Sequence, residues 1–301
     1  MRILVSDPLS PEGIACLKKN ATVDEKTGLS EAELLAIIGD YDALVVRSGT
    51  RVTAAVIDAG KKLKVIGRAG VGVDNIDVDH ATERGVIVIN APEGNTISAA
   101  EHAVAMLATL ARNIPEAHCA LKGGRWERGR FMGVELHQKV LGIIGLGRIG
   151  SEVARRARAM GMSILAYDPY IVPEQAEKLG VTLLPLDELL RNADFITLHL
   201  PCNKSTYHLI GEAELAAMKQ GVRIINCARG GLIDEKALYE ALQSGKVAGA
   251  ALDVFEKEPP LDSPLLGLPN VIVTPHLGAS TGKHRLTWLS RWRNRFPWRC
   301  R

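Results

Sequence analysis

The stretch KVLGIIGLGRIGSEVARRARAMGMSILAYDPY, residues 139–170, decides the fold. An apolar run, Val140–Gly145, reads as a strand and leads into Gly145, Gly147 and Gly150, spaced as GxGxxG. A helix rich in Ala and Arg follows, then a second strand whose end is marked by Asp168, eighteen residues past Gly150. Each residue type has a physical reason in this order. Gly145 permits a tight turn, Gly147 lets the backbone approach a pyrophosphate, and Gly150 lets the helix pack closely on the strand. The positive end of that helix faces the phosphates, and the Asp168 carboxylate accepts from a ribose hydroxyl. A carboxylate there repels a 2′-phosphate, so the cofactor expected is NAD and not NADP.

Working outward, short β-branched runs alternate with helical patterns along the whole chain, which is the pattern of parallel strands joined by crossover helices. Downstream of the glycines, strands are expected near Ser163–Tyr167, Phe195–Leu198, Arg223–Asn226, Ala248–Leu252 and Val271–Thr274. With Val140–Gly145 that makes about six, the number of a complete dinucleotide-binding sheet. Upstream, Arg2–Ser6, Ala43–Arg47, Val65–Gly67 and Val86–Asn90 read as strands of a smaller doubly wound unit. Ser30 with Glu33 has capping-box spacing before a helix, and Ser98 with Glu101 is expected to open a longer apolar helix running to about Arg112. The chain has 301 residues, about twice the usual domain size, so two domains fit.

Composition narrows the function classes. With 47% hydrophobic and 24% charged residues the chain folds, unlike a disordered one. No run reaches the ~18 apolar residues of a membrane span, and the start MRILVSDPLS lacks a secretory core, so a cytoplasmic protein without membrane contact is expected. The five cysteines are scattered and form no CxxC pair, against a disulfide framework or a metal site. The formal charge of +3 is uneven: seven of 37 Lys and Arg and none of 34 Asp and Glu lie in 282–301, which leaves residues 1–281 mildly acidic. That balance gives no support for nucleic-acid binding.

In an open α/β sheet, ligands bind beyond the carboxyl ends of the strands. Three polar residues are expected there. Arg229 follows RIINCA, Glu258 follows GAALDV by a few residues, and His276 ends VIVTPH. Hydride transfer between a hydroxy acid and nicotinamide needs a carboxylate anchor and a proton acceptor, which a cation and an imidazole supply. A neighbouring carboxylate raises the imidazole pKa and orients the ring.

The ordered set LGIIGLGRIG, YDP, NCARGG, ALDVFEKEP and TPHLGAS resembles the D-isomer-specific 2-hydroxyacid dehydrogenases over residues 1–281. VRSGT, GRAGVGVDNID and KGGRWERGRFMG point to the member that oxidises 3-phospho-D-glycerate to 3-phosphooxypyruvate, the first step towards L-serine. The resemblance implies an α/β fold in which a Rossmann-type dinucleotide-binding domain (93–276) is inserted in a smaller flavodoxin-like doubly wound substrate domain (1–92 plus 277–301), with catalysis where the two meet. It makes His276 the general acid/base, Glu258 its partner and Arg229 the anchor of the substrate carboxylate. Arg148 and Ile149 would contact the pyrophosphate. Val71, Leu200, Cys227, Ala228, Asp253, Gly278 and Ala279 would surround the nicotinamide half. Arg47 and Arg68 would take the substrate phosphate, with help from Asn95 and from Arg128 of a neighbouring subunit. Trp126, in the same glycine-rich arm, would anchor a homodimer or homotetramer.

Two other readings stand beside this one: a sibling activity on glyoxylate, hydroxypyruvate or D-lactate, and an NAD-gated corepressor-like binding protein. The chain departs from the family after Thr281, where GKHRLTWLSRWRNRFPWRCR is basic and holds three of the four tryptophans. It reads either as a basic, aromatic tail that binds membrane or nucleic acid or as a stretch with no evolved role, and its lack of periodicity and Pro297 favour the second. If the tail stands in place of the family's return helix and regulatory domain, the protein is expected to be less stable than its relatives and insensitive to serine.

Overall fold

A computed structural model describes residues 1–91 and 94–281. The expected domain border at 92/93 and the basic tail 282–301 both lie outside the described residues. Two compact units are present, one built on Met1–Asn95 and the other on Thr96–Ala279.

The first unit holds β1 (Arg2–Val5), β2 (Thr22–Glu25), β3 (Ala43–Val46), β4 (Val65–Arg68) and β5 (Ile87–Asn90). They run parallel in the order β2-β1-β3-β4-β5, the flavodoxin-like arrangement. Alternate residues supply two cores, as the period of a strand requires. Leu4, Leu44 and Ile66 pack with Leu34, Ile38, Val56 and Ile57 on one face, while Ile3, Val5, Ala43, Val45 and Val65 pack with Ile14 on the other. The helix Glu31–Ile37 opens with the expected capping box, Ser30 Oγ accepting from Glu33 N and Glu33 Oε2 from Ser30 N. β2 was absent from the sequence reading. Its residues, TVDE, form a polar, half-exposed edge strand without a hydrophobic run to mark it.

The second unit holds β6 (Val140–Ile144), β7 (Ser163–Tyr167), β8 (Thr182–Leu183), β9 (Phe195–Leu198), β10 (Val222–Asn226), β11 (Val247–Leu252) and β12 (Val271–Val273). The order is β12-β11-β10-β9-β6-β7-β8, all parallel. From β8 to β11 this is the Rossmann order 3-2-1-4-5-6, with β12 added beside β11; the total is one more than expected because the two-residue β8 is too short to leave a pattern. The direction of winding reverses between β6 and β9, so the sheet's binding crevice lies beyond Ile144 and Leu198.

The helix Thr96–Ala111 covers one face. Its Ala100, Ala103, Leu107 and Leu110 are buried in one cluster with Val153, Ala154 and Ala157 of the helix Arg148–Ala159, the small alanines allowing close approach. It begins two residues before Ser98, so Ser98 sits inside the first turn and does not cap it. Start signals crowd here: Asn95, at the cap position, and Ser98 are both cap-type residues, and burial of Ala99 and Ala100 favours the earlier start. Among the described residues no helix is long and apolar enough to cross a membrane, and no group of three or more His, Cys, Asp or Glu is placed to hold a metal ion.

Candidate active site

Beyond β6 the chain turns at Gly145, whose φ of +93° suits glycine, and Gly145 N donates to Tyr167 O at 2.8 Å. A Cβ on Gly145 would stand 2.7 Å from His199 O, and one on Gly150 would overlap the Gly145 carbonyl oxygen. Gly147 is the cap of the helix Arg148–Ala159. It provides no side-chain cap, and nothing lies within 4 Å of where its Cβ would be. The first turn of this helix therefore offers backbone N–H groups with open space before them, a cradle that fits a diphosphate. Asp168 stands just past β7. Its Oδ2 accepts from Leu146 N and its Oδ1 from Tyr170 N, each at 2.9 Å, so the carboxylate that fits a ribose hydroxyl also ties down the glycine turn. Arg148 is exposed and Ile149 half-buried at the helix start.

The other half of the sheet brings the acid/base residues together. His276 follows β12 with φ +53°, a left-handed conformation unusual for a non-glycine residue. Its Nδ1 lies 2.9 Å from Glu258 Oε2, while Glu258 Oε1 accepts from Phe255 N at 3.2 Å. The hydrogen bond to Glu258 raises the His276 pKa above its ordinary value, against burial and against the nearby Arg229 guanidinium, both of which lower it. Burial pushes Glu258 up, but the hydrogen bond and charge of His276 outweigh it and hold the carboxyl below its usual range. Arg229 follows β10 in a turn fixed by Asn226, whose Nδ2 donates to Arg229 O at 2.8 Å and whose Oδ1 accepts from Ala228 N at 3.0 Å. Arg229, Glu258 and His276 thus stand at the ends of three neighbouring strands of one sheet. An imidazole that donates from Nδ1 to a carboxylate keeps Nε2 for exchanging a proton with a substrate.

Asp253 forms the base of this arrangement. It is fully buried, and Oδ1 accepts from Thr274 Oγ1 at 2.5 Å and from Leu277 N at 2.7 Å, while Oδ2 accepts from Gly278 N at 2.8 Å. Its backbone oxygen also accepts from His276 N at 2.9 Å. One carboxylate therefore holds the turn on both sides of His276. Burial pushes the Asp253 pKa up, and the donors around it more than reverse this. One of those donors is His102, with Nε2 3.3 Å from Asp253 Oδ1 and 3.2 Å from Thr274 Oγ1. Sequence reasoning missed His102. The available signal was an imidazole beside Glu101 in a helix otherwise apolar and rich in alanine.

The remaining residues of the reading are placed as follows. Leu200, Cys227 and Ala228 follow β9 and β10 and are partly buried, and Cys227 has its thiol pushed far up by burial and by Asp253. Beside Leu200, burial lowers the His199 pKa to about 4, so its ring is neutral, with Nε2 3.0 Å from Thr197 Oγ1. Gly278 and Ala279 lie in the turn held by Asp253. Val71, Arg47, Arg68 and Asn95 belong to the first unit, where Val71 O accepts from Asn90 Nδ2 at 2.5 Å. Arg128 and Trp126 lie in an exposed segment whose one regular piece is the short helix Arg128–Phe131.

The family model described as D-isomer specific 2-hydroxyacid dehydrogenase, NAD binding domain, matches residues 104–278. The chain belongs to that family. Among D-isomer specific 2-hydroxyacid dehydrogenases and their relatives, it is 58% identical over 282 residues to the D-3-phosphoglycerate dehydrogenase of Methanocaldococcus jannaschii, covering 93% of this chain and 54% of that protein. It is 52% identical over 286 residues to the enzyme of the same name from Bacillus subtilis, covering 95% and 54%. The chain thus spans about half the length of the curated relatives it matches. A glyoxylate reductase from Paecilomyes thermophila superposes with a TM-score of 0.90 at 36% identity, covering 98% of this chain and 94% of that one. A D-lactate dehydrogenase from Aquifex aeolicus, complexed with NAD and lactic acid, superposes with a TM-score of 0.87 at 31% identity, covering 97% and 93%.

Proposed function

We propose that the chain is an NAD-dependent dehydrogenase that oxidises 3-phospho-D-glycerate to 3-phosphooxypyruvate, the first step towards L-serine. The observation that carries the reading is the 2.9 Å contact between His276 Nδ1 and Glu258 Oε2, with the Arg229 guanidinium close enough to act on the same imidazole. The choice of substrate is supported by relatives named D-3-phosphoglycerate dehydrogenase at more than half identity.

NAD, when bound, supplies the acceptor for the hydride that leaves the hydroxyl-bearing carbon. The chain's own residues supply the rest. Arg229 binds the substrate carboxylate and polarises the reacting oxygen, because a guanidinium offers a planar fork of donors to a carboxylate. His276 Nε2 takes the hydroxyl proton as the carbon is oxidised, and Glu258 stabilises the imidazolium that results. Asp253 keeps the imidazole in place through the turn it anchors. Gly145, Gly147, Arg148, Ile149 and Gly150 take the diphosphate, Asp168 takes the ribose, and Val71, Leu200, Cys227, Ala228, Gly278 and Ala279 line the nicotinamide half. Arg47 and Arg68 take the phosphate, assisted by Asn95 and by Arg128 from a second copy. A homo-oligomer held by the segment around Trp126, working in the cytoplasm, completes the proposal. The exposed Trp126 and Met132 and the free cysteines support it.

A spectrophotometric NADH assay tests the reading. Turnover of 3-phosphoglycerate is expected, and His276→Ala should lose about 10²–10⁴-fold in kcat with NADH affinity nearly intact. Turnover of glyoxylate or D-lactate in preference to the phosphorylated acid, or a His276→Ala variant of near-normal rate, would overturn it.

A further inference from the structure

We infer that Asn75 is a positioning residue that sets the preference for a phosphorylated substrate, by holding Arg47 and Arg68 in one fixed fork; this rests on the phosphate role proposed above for those two cations. The winding of the five-stranded sheet reverses between β1 and β3, so the ends of β1, β3 and β4 frame its binding crevice. Arg47 directly follows β3, and Arg68 ends β4. The loops that carry them lack regular structure of their own, and a side chain joins them. Asn75 Nδ2 donates to Arg47 O at 2.7 Å and to Thr50 O at 2.6 Å, which uses both of its hydrogens. Asn75 Oδ1 accepts from Arg68 Nε at 3.4 Å. The backbone repeats the join, with Val52 N donating to Asn75 O at 2.8 Å and Asp77 N to Val52 O at 2.9 Å.

The loop after β3 is gripped from the opposite side as well. Asp7, 6% exposed, accepts from Arg47 N at 2.5 Å and from Thr50 N at 3.1 Å, and the hydroxyls of Ser6 and Thr50 meet at 2.9 Å. Asp7 fixes where Arg47 starts. Asn75 bonds the Arg47 backbone and the Arg68 guanidinium, and so ties the root of one cation to the head group of the other, while Arg47 Nη1 donates to Pro8 O at 3.5 Å. A guanidinium held through Nε has the plane of its Nη groups set as well. Such a fork matters for a phosphate, whose oxygens accept paired donors in defined directions, and it does nothing for a substrate that ends in a hydroxyl. Gly70 serves the same geometry, since the Arg68 guanidinium folds back over the position its Cβ would occupy. An Ala there displaces the flexible head group of Arg68 while the backbone stays as it is.

The test compares the unaltered chain with Asn75→Ala and Gly70→Ala, measuring kcat and KM for 3-phosphoglycerate and for D-glycerate. In both variants the ratio of the two kcat/KM values is expected to fall about tenfold or more towards unity, through KM for the phosphorylated acid, the size of one lost charged contact. If both substrates lose equally, or the ratio is kept, Asn75 is a loop staple and the inference is overturned. If Asn75→Ala does not fold, Gly70→Ala decides alone by the same ratio. If the unaltered chain shows no preference for the phosphorylated acid, or keeps it when Arg47 and Arg68 are replaced by Ala, the proposed phosphate site falls and this inference with it. A preference that depends on those two arginines but survives both Asn75→Ala and Gly70→Ala removes the inference alone.

Discussion

At the scale of single residues, the site is a matter of which proton acceptor is held by which carboxylate. The raised pKa of His276 contributes stability that is complete below the unfolded value and fades as pH rises through the folded one. The lowered pKa of Glu258 contributes stability that is present above its unfolded value and is lost as pH falls through the folded one. The pair is therefore fully charged between those two limits. Both side chains are more than a third exposed, so its worth to folding is small. Replacing Glu258 by Gln removes the largest upward influence on His276. In the reductive direction, where imidazolium must give its proton, the alkaline limb of kcat/KM should then move to lower pH, read from a pH–rate profile. Arg229, Glu258 and His276 could be picked out together because they follow three successive apolar strands, although each alone has an ordinary explanation, Glu258 as one carboxylate of the charged loop EKEPP. His102 was not, because a residue on a helix reaches a partner such as Asp253 only through tertiary packing, and no spacing in the chain records that.

At the scale of elements, the glycine turn was legible to the residue, since the requirements of turn, approach and packing are local and each asks for the absence of a side chain. Gly150 carries the sharpest consequence. A Cβ there meets the Gly145 carbonyl oxygen, which is backbone and cannot swing aside. Gly150→Ala should separate the helix Arg148–Ala159 from β6 and weaken NADH binding more than about tenfold, measured by fluorescence titration, with a lowered melting temperature. The buried strands β3 (ALVV) and β9 (FITL) were equally plain, because a parallel strand covered on both faces is apolar throughout. The edge strands β2 and β8 escaped for the converse reason: half-exposed and short, they follow the sheet and leave no signal of their own. Helix starts sit between these cases, since Asn95 and Ser98 compete as the cap and packing decides.

At the scale of the molecule, each unit has its own cores on both faces of its own sheet. Large apolar side chains are left outside them at several places along the chain, and one group lies between Ile114 and Met132. Ile114 is 52% exposed, Leu121 55%, Trp126 76% and Met132 82%, more than lone surface residues explain. If this segment joins two copies, Trp126→Asp should shift the chain to a monomer in size-exclusion chromatography with light scattering, with its circular-dichroism spectrum unchanged because Trp126 is 76% exposed in the single chain. Every strand pair described is parallel, and this bears on how the chain is made. Among the described residues no hairpin starts either sheet, and the central strand β6 pairs Leu141 with Phe195 of β9, residues far apart along the chain. On the ribosome, β6 must wait with one apolar edge open until β9 has emerged. The far edge of β9 waits in turn for β10, so nascent chains halted before Phe195 should recruit chaperones and clump more than those released past Val273, where the last strand of the sheet is complete.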